Sequence, residues 1–312
     1  MISPAGAAGR TGGLCLTISA FRSDESVIRL LERAAPLVPG LVTRVIVVDS
    51  LGGGLIDQAI AREGWHWVEY HNADENLGSA GNLALRLQLA ARHEDCDWAL
   101  AVNHDGEIQQ IAIETLMAAA RSRSGVGAVY PLRRLTNQEG RFDLSGFSRL
   151  PLRRRVSDQK PNGLPEVYWS SSNGALYALE PTRMGLLPRS DLWMGWEDLG
   201  YGWALREAGF SQLLVPEAEF RDTYEFAALP TSKVAHVSAK PAWYAYYSVR
   251  NLILLVRSGS IPIALRLLVA RRIALEIALT ATVRRDKRKR WGLIARGIRD
   301  GFAGRTGMRV KP

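Results

Sequence analysis

The sequence predicts an α/β fold, a mainly parallel sheet flanked by helices and followed by a basic helical extension. Three observations carry that expectation. Short apolar runs rich in β-branched residues alternate with stretches of helical spacing over the first half of the chain. From about Trp243 the alternation stops, and Arg recurs among Leu, Ile and Ala. The chain has 312 residues, 47% of them hydrophobic, which is enough for one large core or a core plus an appendage.

The first 13 residues are rich in Gly and Ala and read as a flexible leader without the charged start of a signal peptide. Leu14–Ala20 and Val45–Asp49 read as strands. Between them Ser23–Ala35 has helical spacing, with Ser23 at the N-cap and Pro36 beyond the end. A third strand fits Trp65–Tyr70, and a helix capped by Ser79 follows to about Arg92. A strand at Trp98–Asn103, a helix at about Ile108–Arg123 and a strand at Val126–Pro131 continue the pattern. Leu132–Pro165 reads as long loops, Val167–Leu179 as strand, Glu197–Ala208 as a helix closed by Gly209, and Leu213–Pro216 as a last short strand. The organisation expected is a leader (1–13), an α/β domain (14–240) and a basic helical region (241–312).

Charge divides the chain in the same place. Residues 250–312 carry a balance of +13, and the rest a balance of −4. Such a tail suits phosphates, in lipid headgroups or in nucleic acid. Cys15 and Cys96 lack metal-type spacing and read as buried free thiols in a reducing compartment. No run of ~18 uninterrupted apolar residues is present, so a spanning helix is not expected.

Ligands of open parallel sheets bind beyond the carboxyl ends of the strands. Those ends hold Ser19 and Phe21, Asp49 and Ser50, then Asn72, Asp74 and Asn76, and finally Asn103-His104-Asp105. Asp and Asn also terminate strands for purely local reasons, but four ends together favour function. No G-x-G-x-x-G follows the first strand and no Walker A sequence is present, which disfavours hydride transfer and ATP hydrolysis. Gly52-Gly53-Gly54 reads as a turn. Glu197 and Asp198 open a helix beside Trp193 and Trp196, indole faces suited to sugar C–H groups. Asp105 offers the hard oxygen that Mg²⁺ prefers, more so than its neighbour His104.

The order of these signals resembles glycosyltransferase family two, the inverting enzymes of GT-A fold, and within it the rhamnosyltransferase-like and galactofuranosyltransferase-like branches. The matching residues are Val45–Asp49, Asn76-Leu77-Gly78-Ser79-Ala80-Gly81-Asn82, Asn103-His104-Asp105, Gly195-Trp196-Glu197-Asp198 with Arg206 and Gly209, His236, and Tyr247–Asn251. The resemblance spans roughly Leu14 to Asn251. It implies a nucleotide-sugar donor held by Ser19, Phe21, Asp49, Asn76, Gly78, Asn82, Asn103 and Arg250. It implies a divalent metal (Mn²⁺ or Mg²⁺) at Asp105 and His236, with Asp198 as base, Glu197 supporting it, and the acceptor beside Trp193 and Trp196. Asn103 stands where the family's metal motif usually begins with Asp, which implies a more weakly held metal. Arg22 replaces an Asn frequent after the first strand.

The acceptor implied is a glycan or lipid-linked glycan in cell-envelope polysaccharide synthesis. The basic tail, with Arg284–Arg290 at its centre, adds an anionic membrane surface as partner, so the chain is expected to be cytoplasmic and peripheral at the inner face. Two other readings are a nucleic-acid-binding protein using the tail and an inert GT-A-like scaffold. The aromatic residues precede the basic cluster rather than interleave with it, so no nucleic acid is expected.

Overall fold

In the computed structural model, which describes residues 12–107, 109–135, 142–144, 156–222, 240–258, 263–282, 284 and 286–312, the expected alternation is present. The first half runs β1 (Gly13–Ala20), α1 (Asp24–Ala34), β2 (Arg44–Asp49), α2 (Leu55–Glu63), β3 (Val68–Asn72), α3 (Gly78–Ala90), β4 (Cys96–Asn103), α4 (Gln110–Arg121) and β5 (Val126–Leu135). There follow β6 (Phe142–Asp143), β7 (Val156–Ser157), β8 (Ala175–Ala178), α5 (Glu180–Arg183), α6 (Glu197–Glu207) and β9 (Ser211–Asp222). Three helices complete the described chain: α7 (Ala242–Arg257), α8 (Ile263–Thr282) and α9 (Lys287–Phe302).

The strands lie in the order β3-β2-β1-β4-β8-β5-β6-β7, with β9 also paired to β5. The first four are mutually parallel, and β8 runs antiparallel between β4 and β5. Because β2 lies on one side of β1 and β4 on the other, the connections diverge there, and a crevice opens at the carboxyl ends of β1 and β4.

Strand alternation supplies both faces of the sheet. Leu14, Leu16, Ile18, Val45 and Val47 pack with Val27 and Leu31 of α1, Ile56 of α2 and Leu116 of α4. Cys15, Ile46 and Val48 point the other way, onto Leu83 and Leu87 of α3. Both cysteines are free and buried. The C-terminal helices join the body through Leu252 and Leu255 of α7, Val269 of α8 and Leu199 of α6. Among the described residues no helix is long and apolar enough to cross a membrane.

Several elements differ from the sequence expectation. The helix α2 was not anticipated between Gly54 and Trp65, although Ile56, Ala59 and Ile60 have helical spacing and Gly64 closes it in the left-handed conformation. The third strand begins at Val68, not Trp65, the two preceding indoles packing against one another. Ser79 does not cap α3; the Asn76 side chain accepts the Gly78 N–H at 3.0 Å, and the Ser79 hydroxyl turns to Met194. Ser23 does precede α1, but its hydroxyl accepts the Phe21 N–H. Only Ala175–Ala178 of the stretch from Val167 is a strand, because Ser171 to Gly174 form a turn. The last strand is twelve residues, not four, and a register shift lets it pass Pro216, which has no N–H to give.

The cluster Arg284–Arg290 is not one free basic face. Arg290 is buried, bonded to Asp286 at 2.6 Å and to the Lys240 carbonyl at 2.7 Å. Arg284 is half-buried and Arg285 lies outside the described residues, as do most of the leader and His236. Lys287, Arg288 and Lys289 are exposed.

Candidate active site

The crevice begins at the ends of β1, β2 and β4. Ser19 donates to the Asn103 side chain at 3.2 Å, joining the two strands where the sheet order reverses. Asp49, at the end of β2, is completely buried. Its Oδ2 accepts the Tyr70 hydroxyl at 2.9 Å, while Oδ1 has no protein partner. Burial pushes its carboxyl above the usual range, the Tyr70 bond pulls it down, and the Asp24 charge pushes it up. Gly52 lies so close that a Cβ there would overlap the Asp49 carboxylate. Phe21, just past β1, carries the Arg22 guanidinium over its ring.

The start of α3 forms the next wall. Asn82 is buried and donates to the Val48 carbonyl at 3.0 Å and to Ser50, leaving its Oδ1 unpartnered. Arg86, one turn on, is fully buried and bridges the Thr17 and Val102 carbonyls beneath the crevice. Burial lowers its pKa to about 10, so it keeps its charge at neutral pH. Sequence reasoning missed Arg86, because one Arg in an apolar helix gives no periodic signal.

Asp105 lies just beyond β4. Its Oδ1 accepts from the Asn173 amide at 3.4 Å, and the Asn173 Oδ1 accepts the Asn103 N–H at 2.8 Å. Asn173 thus fixes the Asn103–Asp105 turn from the loop before β8. It too was missed, although an Asn-Gly pair before a strand is a turn signal. Among the described residues no three side chains of metal-ligating type gather.

Glu197 and Asp198 are delivered by an unusual turn. Trp193, Gly195 and Trp196 all have positive φ (61°, 85° and 68°), a conformation costly for the two tryptophans. Tyr244 packs against Gly195 where a side chain would stand. The turn abuts α3, since the Trp193 carbonyl accepts the Ala80 N–H and its indole donates to the Asn76 carbonyl at 2.9 Å. The Asp198 Oδ1 accepts the Leu199 N–H at 2.8 Å. Burial first, and the Glu197 charge second, raise the Asp198 pKa to about 7. Glu197 is buried and its Oε2 has no partner.

The turn is held from α7. The Asn251 amide donates to the carbonyls of Leu192, Met194 and Gly195 at 2.8–3.0 Å. Arg250, expected at the donor, has no exposed surface; it donates to Leu192 O at 2.7 Å and Gly307 O at 2.6 Å. Gly307 N–H returns to Asp191 O, and the Tyr247 hydroxyl binds the backbone at 309 and 310. Residues 307–310 thereby clasp the root of the turn.

Two further expectations change. Trp193, expected at the acceptor, is buried among Tyr247, Trp243 and Asn76, so it builds the turn rather than a sugar platform. The Trp196 indole donates to the Ser248 carbonyl at 3.0 Å and meets Trp169 edge-on, which leaves it only half-buried. The loop containing Trp169 and Asn173 thus links the turn to Asn103 and Asp105. Hydrogen bonds join Ser19 to Asn103, Asn173 to Asp105, Asn82 to the end of β2, and the Trp193 turn that precedes Glu197 and Asp198 to Asn76 and Ala80 at the start of α3. His236 lies outside the described residues.

No family model matches the sequence, and no curated protein resembles it in sequence. Solved structures do resemble it in fold. Staphylococcus aureus TarS 1-349 in complex with UDP-GlcNAc superposes with a TM-score of 0.62 at 13% identity, over 94% of this chain and 81% of that one. The mannosyltransferase PcManGT of Pyrobaculum calidifontis, in complex with GDP-Man and Mn²⁺, gives 0.53 at 15% identity over 95% and 89%. Glucosyl-3-phosphoglycerate synthase of Mycobacterium tuberculosis, in complex with Mn²⁺, UDP and phosphoglyceric acid, gives 0.51 at 15% over 81% and 80%. At these identities the likeness concerns architecture: the chain has the fold of GT-A-type glycosyltransferases.

Proposed function

We propose that the chain is an inverting glycosyltransferase, moving a sugar from a nucleotide-sugar donor to a hydroxyl of a glycan or lipid-linked glycan. One observation carries this reading. Asp49 Oδ1, Asn82 Oδ1 and Glu197 Oε2 are among the buried side-chain atoms without a protein partner; Asn82 is bonded to the end of β2 beside Asp49, and Glu197 follows the turn held against the start of α3. Buried acceptors are rarely left unmade, so ligand N–H and O–H donors belong there. Asp49 faces the base, Ser19 and Asn82 border the ribose and diphosphate, and Glu197 meets an acceptor hydroxyl.

Asp198 acts as base. Its Oδ1 is occupied by the Leu199 N–H, so Oδ2 takes the proton of the attacking hydroxyl. The new C–O bond forms as the bond from the anomeric carbon to the diphosphate breaks, the electron pair leaving with the nucleoside diphosphate. Attack from the opposite face inverts the configuration. Asp105 fits a divalent cation held by one carboxylate and the donor's own phosphates, the mode Mg²⁺ favours. When bound, such an ion offsets the charge of the departing diphosphate.

Thermal shift against nucleotide sugars, dTDP-rhamnose and UDP-galactofuranose among them, with and without Mn²⁺, tests the reading. A matching donor is expected to raise the melting temperature, and Mn²⁺ alone to have little effect. Asp105→Ala is expected to abolish the extra shift from Mn²⁺ while sparing the metal-free shift, and Asp49→Ala to weaken both. No shift with any nucleotide sugar would refute the proposal.

A second expectation concerns pH. Activity is expected to rise with pH through about 7 as Asp198 loses its proton. Removing the neighbouring charge in Glu197→Gln should lower that pKa and move the rising limb to lower pH. An unmoved limb in the rate profile would separate Glu197 from the base.

A further inference from the structure

We propose that the outer face of α8, continued by the first turn of α9, is a docking surface for an anionic lipid bilayer. The two faces of α8 differ in composition. Its inner face buries Val269 and Glu276, the latter paired to Arg272 at 3.3 Å. A helix at the edge of a fold ordinarily turns polar residues outward. Here the outward face is largely apolar around Arg271: Leu267 is 71% exposed and Leu275 48%, with Ala270, Ala274 and Ala278 exposed around them.

Charge identifies the occupant. The acid of α8 is buried, whereas Arg271 is exposed on the apolar face. Beyond the end of α8 come exposed Lys287, Arg288 and Lys289, and then Trp291, 40% exposed. Apolar side chains flanked by cations and an indole suit the interface of a membrane carrying negative headgroups. A second copy of this chain is disfavoured, because a two-fold contact would set the same cations against each other. The surface does not depend on the transfer reaction, and its test needs no turnover.

The experiment is co-sedimentation of the full chain with vesicles of phosphatidylcholine, alone or mixed with phosphatidylglycerol, at low and high salt. Binding is expected only with phosphatidylglycerol and should fall as salt rises. Each cation near such a surface contributes about fivefold in affinity, so Lys287→Gln/Arg288→Gln/Lys289→Gln should weaken binding about a hundredfold. Leu267→Ser/Leu275→Ser should also weaken it, with an unchanged melting temperature because both side chains are exposed. Failure of the wild type to sediment with phosphatidylglycerol vesicles would overturn the proposal. So would undiminished binding by either variant, or a concentration-dependent dimer dispersed by Leu267→Ser.

Discussion

Asp198→Asn is expected to reduce sugar transfer by about 10²–10⁴-fold, the usual contribution of a general base, with donor affinity nearly unchanged. The amide keeps the volume and an oxygen for the Leu199 N–H, so the turn should survive. The same variant should be more stable than wild type at neutral pH. A carboxyl whose pKa rises from 3.8 to about 7 on folding loses stability as pH climbs through that window, since ionisation is easier in the unfolded chain. Removing it should therefore restore roughly 1–3 kcal/mol above pH 7 and nothing near pH 3. Initial rates and melting temperatures across pH test both halves. Transfer within twofold of wild type would remove Asp198 from the chemistry.

Asn251→Asp is expected to be the most damaging isosteric change outside the acid pair. It replaces an amide that serves three carbonyls with a carboxylate facing them. Loss of those bonds, with a carboxylate oxygen set against the carbonyls, should cost about 1–3 kcal/mol, the Arg250 Nε that donates to the other oxygen at 2.9 Å offsetting part of the buried charge. Turnover should fall because the turn bearing Glu197 and Asp198 loosens. Nucleotide binding at Asp49 should fall much less. Melting temperature, kcat and the nucleotide dissociation constant, measured together, separate these effects. Equal loss of nucleotide binding would show that Asn251 supports the whole fold rather than the turn.

The sheet was legible because alternation in β1 and β2 is written directly into Leu14–Ala20 and Val45–Asp49. The strand-end residues followed from it, since topology alone places Ser19, Asp49, Asn103 and Asp105 on one edge. What could not be read was whatever depends on packing between distant segments. Arg250 and Trp193 have side chains suited to ligands, yet both are consumed by the clasp and the turn. Asn173 and Arg86 act through backbone groups of other strands, which no local pattern announces. The short β8 was hidden because a polar Ser-rich turn sits within an apolar stretch. The twelve-residue β9 was hidden because Pro216 looked like a terminus and is instead a bulge.

The clasp also has a consequence for the order in which the molecule is made. Gly307 lies more than a hundred positions downstream of Leu192, yet Arg250 ties the two together. A nascent chain can close β1 to β4, and with them the pocket around Asp49, long before that tie exists. Loop closure over such a separation comes late, after the local elements have formed. On the proposed reading, the growing polypeptide forms the surroundings of Asp49 first and fixes the turn that carries Asp198 last.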